Sequence, residues 1–226
     1  MGTRHLICIV VDDKFATAQY GQWDGYPEGQ GQEIVSWLKE HYPGDLDRLK
    51  LHARNVIVLT SEDMRRRWDS CGADGSGMVG MNVSNRFREQ WPHLTRNQGS
   101  KVLNYFLSTD KPEVSEQDPG FAADSLFCEW VYVLDLDAEE FEVYEGFQRA
   151  PHDEGRFHDL PYAPPEHRQN AEQEYWPVKL VAKWKMGAIP DDWQSIVRPP
   201  ACEVCEVTGE DLNEGLCVQC EKDEVA

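Results

Sequence analysis

Arg4-His5-Leu6-Ile7-Cys8-Ile9-Val10-Val11-Asp12 opens the chain with six consecutive apolar residues, four of them β-branched. A strand that faces water on one side alternates apolar and polar residues. An unbroken run bounded by polar ones belongs to a strand covered on both faces. Asp12-Asp13-Lys14 reads as a turn and residues 15–20 as a second strand, so the chain begins with a β-hairpin. Residues 22–31 hold three glycines and Pro27, a structured loop, and residues 32–40 follow as a helix with Ile34, Val35 and Leu38 inward.

Further along, residues 45–68 are helical or mixed, with a short strand at 55–59. Residues 71–82 form a glycine-rich loop, 99–107 a helix, and 109–124 an acidic linker. Residues 127–135 and 141–144 make a second hairpin, 147–176 are irregular, and 178–184 are another strand. The pattern is α+β, with antiparallel strands in hairpins and few helices. An α+β domain is expected over 1–198, and Pro199-Pro200 separates it from an appendage over 199–226.

That appendage carries Cys202-x2-Cys205 and Cys217-x2-Cys220. Each C-x-x-C pair turns two sulfurs toward one ion, and four thiolates complete a tetrahedral shell without an open position. The expectation is a structural zinc knuckle holding Zn2+, whose folding and metal binding are one event. Eight acidic residues accompany only Lys222 there, which favours a structural or protein-docking role over nucleic-acid contact.

The formal net charge is −19, unevenly spread. Residues 1–109 carry 13 acidic and 13 basic side chains, whereas 110–175 carry 18 acidic and 4 basic. Such a balance repels nucleic-acid backbones and acidic membranes. No apolar run approaches the roughly 20 residues of a membrane helix. With Cys8, Cys71 and Cys128 scattered as small buried hydrophobes, a cytoplasmic protein is expected. Gly75-Ser76-Gly77-Met78-Val79-Gly80 satisfies G-x-G-x-x-G, but a helix-like segment precedes it where a dinucleotide site needs a strand, so it reads as an ordinary loop. His152, His158 and His167 among carboxylates read as a solvated acidic loop, and Arg65, Arg66 and Arg67 as a solvated helix face, with the gripping of an anion as the alternative.

The start Gly2-Thr3-Arg4, with Gln22-Trp23-Asp24-Gly25-Tyr26-Pro27-Glu28-Gly29-Gln30-Gly31, resembles a family of bacterial, phage and fungal proteins without an assigned activity. The phage relatives imply a counter-defence or host-takeover role. The layout is also similar to that of N-terminal-nucleophile hydrolases, in which a nucleophile precedes strand, turn, strand and an Arg-x-x-Asp. Thr3 would then be the nucleophile and Asp24 the orienting acid, with Gly21 standing where the arginine belongs; the fold implied is four-layered. From the residues themselves, a binding protein is favoured, with a pocket beside Thr3, Arg4, Trp23, Asp24 and Tyr26. Arg4 would pair with an anionic group and Trp23 or Tyr26 would stack on a ring. The partner is a small anionic ligand or a protein. The alternative is an amidohydrolase using Thr3 after processing.

Overall fold

The computed structural model describes residues 2–75, 78–96, 98–115, 119–161 and 175–198, together with the backbone of 212–213 and 216–217. The chain divides into two compact units, Met1–Ala188 and Ile189–Ala226.

In the first unit, β1 (His5–Val11) and β2 (Lys14–Gly21) form the expected hairpin. Asp12 and Asp13 both take positive φ, the backbone that a two-residue I′ turn requires and that aspartate tolerates. A π-helical turn over Pro27–Gly31 leads into α1 (Gln32–His41), followed by α2 (Leu46–Arg54) and the short β3 (Ile57–Leu59). Next come α3 (Ser61–Ser70), α4 (Met81–Gln90), α5 (Lys101–Ser108) and β4 (Glu113–Ser115). The last strands of the unit are β5 (Trp130–Asp135), β6 (Glu140–Glu145) and β7 (Lys179–Lys185). The second unit contains α6 (Trp193–Val197) and the antiparallel pair β8 (Leu212–Asn213) and β9 (Leu216–Cys217).

The main sheet has the order β2-β1-β5-β6-β7. Its β1–β2, β5–β6 and β6–β7 ladders are antiparallel. The two hairpins join through a parallel β1–β5 ladder, His5 opposite Trp130 and Val10 opposite Asp135. Every residue of β1 is buried, as its apolar run foretold. On one face Leu6, Cys8 and Val10 join Ala18, Val131, Val133 and Tyr144 in a core closed by Ala122, Cys128, Phe157 and Val178. On the other face Ile7, Ile9, Tyr132 and Leu134 are wholly buried, with α2 against β1 and α5 against α2. Among the described residues the only other sheets are the two-stranded β3–β4 and β8–β9, so the four stacked layers of an N-terminal-nucleophile hydrolase do not appear among them.

Several elements fall where the sequence suggested none, the short α6 among them. Helix α4 buries only Phe87, so it carries almost no apolar stripe to read. Strand β4 lies inside the expected acidic linker; three residues are too few to show a period of two. Cys8, Cys71 and Cys128 are free and buried. Among the described residues no helix is long and apolar enough to cross a membrane.

The loop over 147–160 is pinned to the sheet by charge. Arg156 Nε and Nη2 donate to Glu142 at 2.8 and 2.7 Å, and Nη2 also donates to Asp135 at 2.9 Å. Tyr144 OH donates to Glu142 at 2.6 Å and accepts from Arg156 N at 3.2 Å. With Glu142 buried, both of its oxygens are engaged, the condition under which a buried carboxylate is tolerated.

Candidate functional site

The hairpin brings the two ends of its strands together. Gly25 N donates to Thr3 O at 3.1 Å, and Trp23 lies over Gly2, where an added Cβ would stand 2.5 Å from the ring. Asp24 is exposed with φ 57°, and its carbonyl accepts from Gln30 N at 2.8 Å. Tyr26 is half-buried, its carbonyl taking Gly29 N at 3.0 Å to start the π-helical turn. Arg4 points elsewhere. Its guanidinium sits 4.7 Å from the centre of the Phe127 ring, and its backbone exchanges hydrogen bonds with Glu129. Thr3, Trp23 and Asp24 are therefore neighbours, while Arg4 is engaged with the segment before β5.

The centre of this loop is a residue to which the sequence reading gave no role. His5 is 1% exposed and is clamped between two glycines. A Cβ at Gly21 would stand 2.2 Å from its Nε2, and one at Gly25 would stand 2.6 Å from its Nδ1. Among the described residues Nε2 has no hydrogen-bond partner, and Nδ1 faces Thr3 O at 3.4 Å. Burial pushes the imidazole down to about 4, against the opposing pull of the Thr3 carbonyl and the Asp24 and Glu33 charges. The ring is neutral at pH 7. Tyr132 OH, also buried, donates to Gly25 O at 2.8 Å and ties the loop to β5. Gly29 fits against the Asp24 carbonyl, where a Cβ would approach to 2.3 Å. Downstream, Gln30 Oε1 accepts from Ser100 N at 2.6 Å, and Ser100 Oγ donates to Glu33. The space that the loop glycines leave is filled by the protein's own groups.

A different part of the unit is open. A cleft of about 570 Å³ lies at the carboxyl ends of the parallel pair β3 and β4, lined by Leu59, Met64, Trp68, Met78 and Val79, with Ser61, Arg65, Asp69, Asp74 and Ser115 among its polar groups. Ligand sites span about 300–1,000 Å³, mostly apolar with a few convergent polar groups. Helix α3 places Met64 and Trp68 one turn apart on one side. The helix starts cleanly because Thr60 and Asp63 form a capping box. Trp68 is held flat by Phe87 of α4, ring centroids 3.7 Å apart and 8° from parallel. Arg67 is engaged with Glu113 at 2.9 Å, whereas Arg65 is exposed and makes no ion pair among the described residues. The sequence signal was present in Met64, Arg65 and Trp68, but the opposing wall comes from the glycine-rich loop, which sequence reading left without a role.

The four cysteines expected to hold zinc lie outside the described residues, except for the backbone of Cys217 at the end of β9. Among the described residues no group of three or more His, Cys, Asp or Glu side chains could hold a metal ion. Compared with family models, with curated proteins and with solved structures, the chain matches none.

Proposed function

We propose that this is a non-catalytic binding protein whose ligand seat is the cleft between α3 and the loop that follows it. The observation that carries this reading is the cleft itself: an apolar floor of ligand size, a tryptophan fixed by stacking, and an exposed arginine at its side. In this reading the motif loop serves the fold. His5 replaces a ligand between Gly21 and Gly25, and Trp23 and Asp24 close the hairpin. In this reading binding rather than turnover is the expected activity. A structural zinc ion on Cys202, Cys205, Cys217 and Cys220 belongs to the same proposal, supported by the antiparallel β8–β9 pair that carries Cys217.

A fragment screen followed by ¹H–¹⁵N NMR tests the seat. Hits should move the amides of residues 59–79 and of Ser115 before any others. Hits that gather instead at residues 2–5 and 22–31 would return the site to the hairpin ends and overturn this assignment.

A further inference from the structure

The lining of the cleft is not neutral. Asp69 and Asp74 stand in it against the one cation of Arg65, so its net charge is negative. Arg65 and Asp69 lie one turn apart on α3, the spacing at which opposite charges on a helix can pair. Both are exposed, and neither makes an ion pair among the described residues. The other two arginines of the helix are taken elsewhere, Arg66 by Glu62 at 2.6 Å and Arg67 by Glu113 at 2.9 Å. Asp69 therefore lines the cleft as a carboxylate without a cation of the protein's own among the described residues.

The apolar part of the lining favours the same sign of ligand charge. Trp68 is stacked on Phe87, which leaves its second face for a ligand. An indole face is electron-rich and attracts a cation, whereas it repels an anion. Met64 and Met78 share the floor, and unbranched thioethers adapt to apolar bodies of varied shape. At long range the net charge of −19 draws cations toward the chain and drives anions away. A volume of about 570 Å³ is that of a small-molecule site. On the reading that the cleft is the ligand seat, we infer that its ligand is a small organic cation, an ammonium group on an apolar, ring-bearing body. The ammonium sits between the Trp68 face and the carboxylates of Asp69 and Asp74. The body fills the floor beside Met64 and Met78, and Arg65 works against the bound charge.

Three probes that share an indole ring test the sign of that charge: tryptamine, uncharged 3-ethylindole and indole-3-propionate. Each is titrated into the full-length protein and followed by ¹H–¹⁵N NMR at the amides of residues 59–79 and of Ser115. Tryptamine should bind about tenfold more tightly than 3-ethylindole, the gain from one good contact, and indole-3-propionate should bind most weakly. Asp69→Asn combined with Asp74→Asn should erase that preference, and Arg65→Gln should increase it. All three side chains are exposed, and thermal melts check that the variants stay folded. Equal or tighter binding of either other indole, or a preference that survives the double substitution, overturns the inference. So does tighter binding of N-acetyl-lysinamide at the same amides, which would assign the cleft to a lysine side chain of a partner. If none of the three indoles moves those amides while other fragments do, the ligand class is wrong and the seat stands. If no fragment of any kind moves them, both are wrong.

Discussion

Replacing His5 by asparagine should flatten the pH dependence of stability between pH 7 and pH 5. The imidazole has an ordinary pKa of 6.5 and is held at about 4 in the folded protein by burial between Gly21 and Gly25. The folded state therefore binds fewer protons than the unfolded state throughout that interval. Stability from this group is complete above pH 6.5, falls as the pH drops through the window from 6.5 to 4, and is gone below it. At about 1.36 kcal/mol for each tenfold difference in proton affinity, the full effect is about 3 kcal/mol. About 2 kcal/mol of it is lost between pH 7 and pH 5. The carboxylates held below their usual range, Asp12, Asp45, Asp63, Asp135, Glu139 and Glu140, start from ordinary values of 3.8 or 4.5 and act mainly below that interval. Urea unfolding followed by tryptophan fluorescence, at pH 7, 6 and 5, measures the effect. His5→Asn should be less stable than the parent at pH 7, and the gap should narrow as the pH falls. Parallel stability curves for the two proteins, or an NMR titration placing the His5 ring above pH 6, would refute the reasoning.

Gly21→Ala puts a methyl 2.2 Å from the His5 ring and should cost about 1–3 kcal/mol, the usual range for overpacking, whereas Gly44→Ala, with only the His41 carbonyl at an ordinary 3.8 Å, should leave the melting temperature nearly unchanged. Arg156→Met leaves Glu142 buried without its cation and should cost about 3–5 kcal/mol in chemical unfolding; a loss below about 1 kcal/mol would mean that the loop is held by Phe157 alone. Elemental analysis of protein purified without chelator should find about one zinc per chain, and Cys217→Ser should release it while the far-ultraviolet spectrum changes little.

The strands were readable because burial on both faces leaves an unbroken apolar run, as in Leu6 to Val11, and because aromatic and β-branched residues crowd β5. Helix α1 was readable from Ile34, Val35 and Leu38, all buried as expected. The parallel pairing of β1 with β5 was not, since no local pattern records which hairpin lies beside which. For the same reason the motif glycines suggested room for a ligand. The group that fills the room is His5, sixteen residues from Gly21 in sequence but directly opposite it across the ladder. The cleft was hidden for a related cause: Trp68 belongs to one segment, Met78 and Val79 to another, and Ser115 to a strand too short to announce itself.

The parallel ladder between β1 and β5 also sets a timetable for biosynthesis. Its nearest hydrogen bond outside the strands joins Arg4 to Glu129 across 125 residues. At about 5–20 residues per second, the ribosome needs roughly 6–25 s to supply the second partner after the first has emerged. Throughout that wait β1 has β2 on one side and an edge of unpaired backbone N–H and C=O groups on the other. An edge of that kind is a template for pairing with another nascent chain. Covering the N-terminal hairpin until β5 arrives would suppress that pairing.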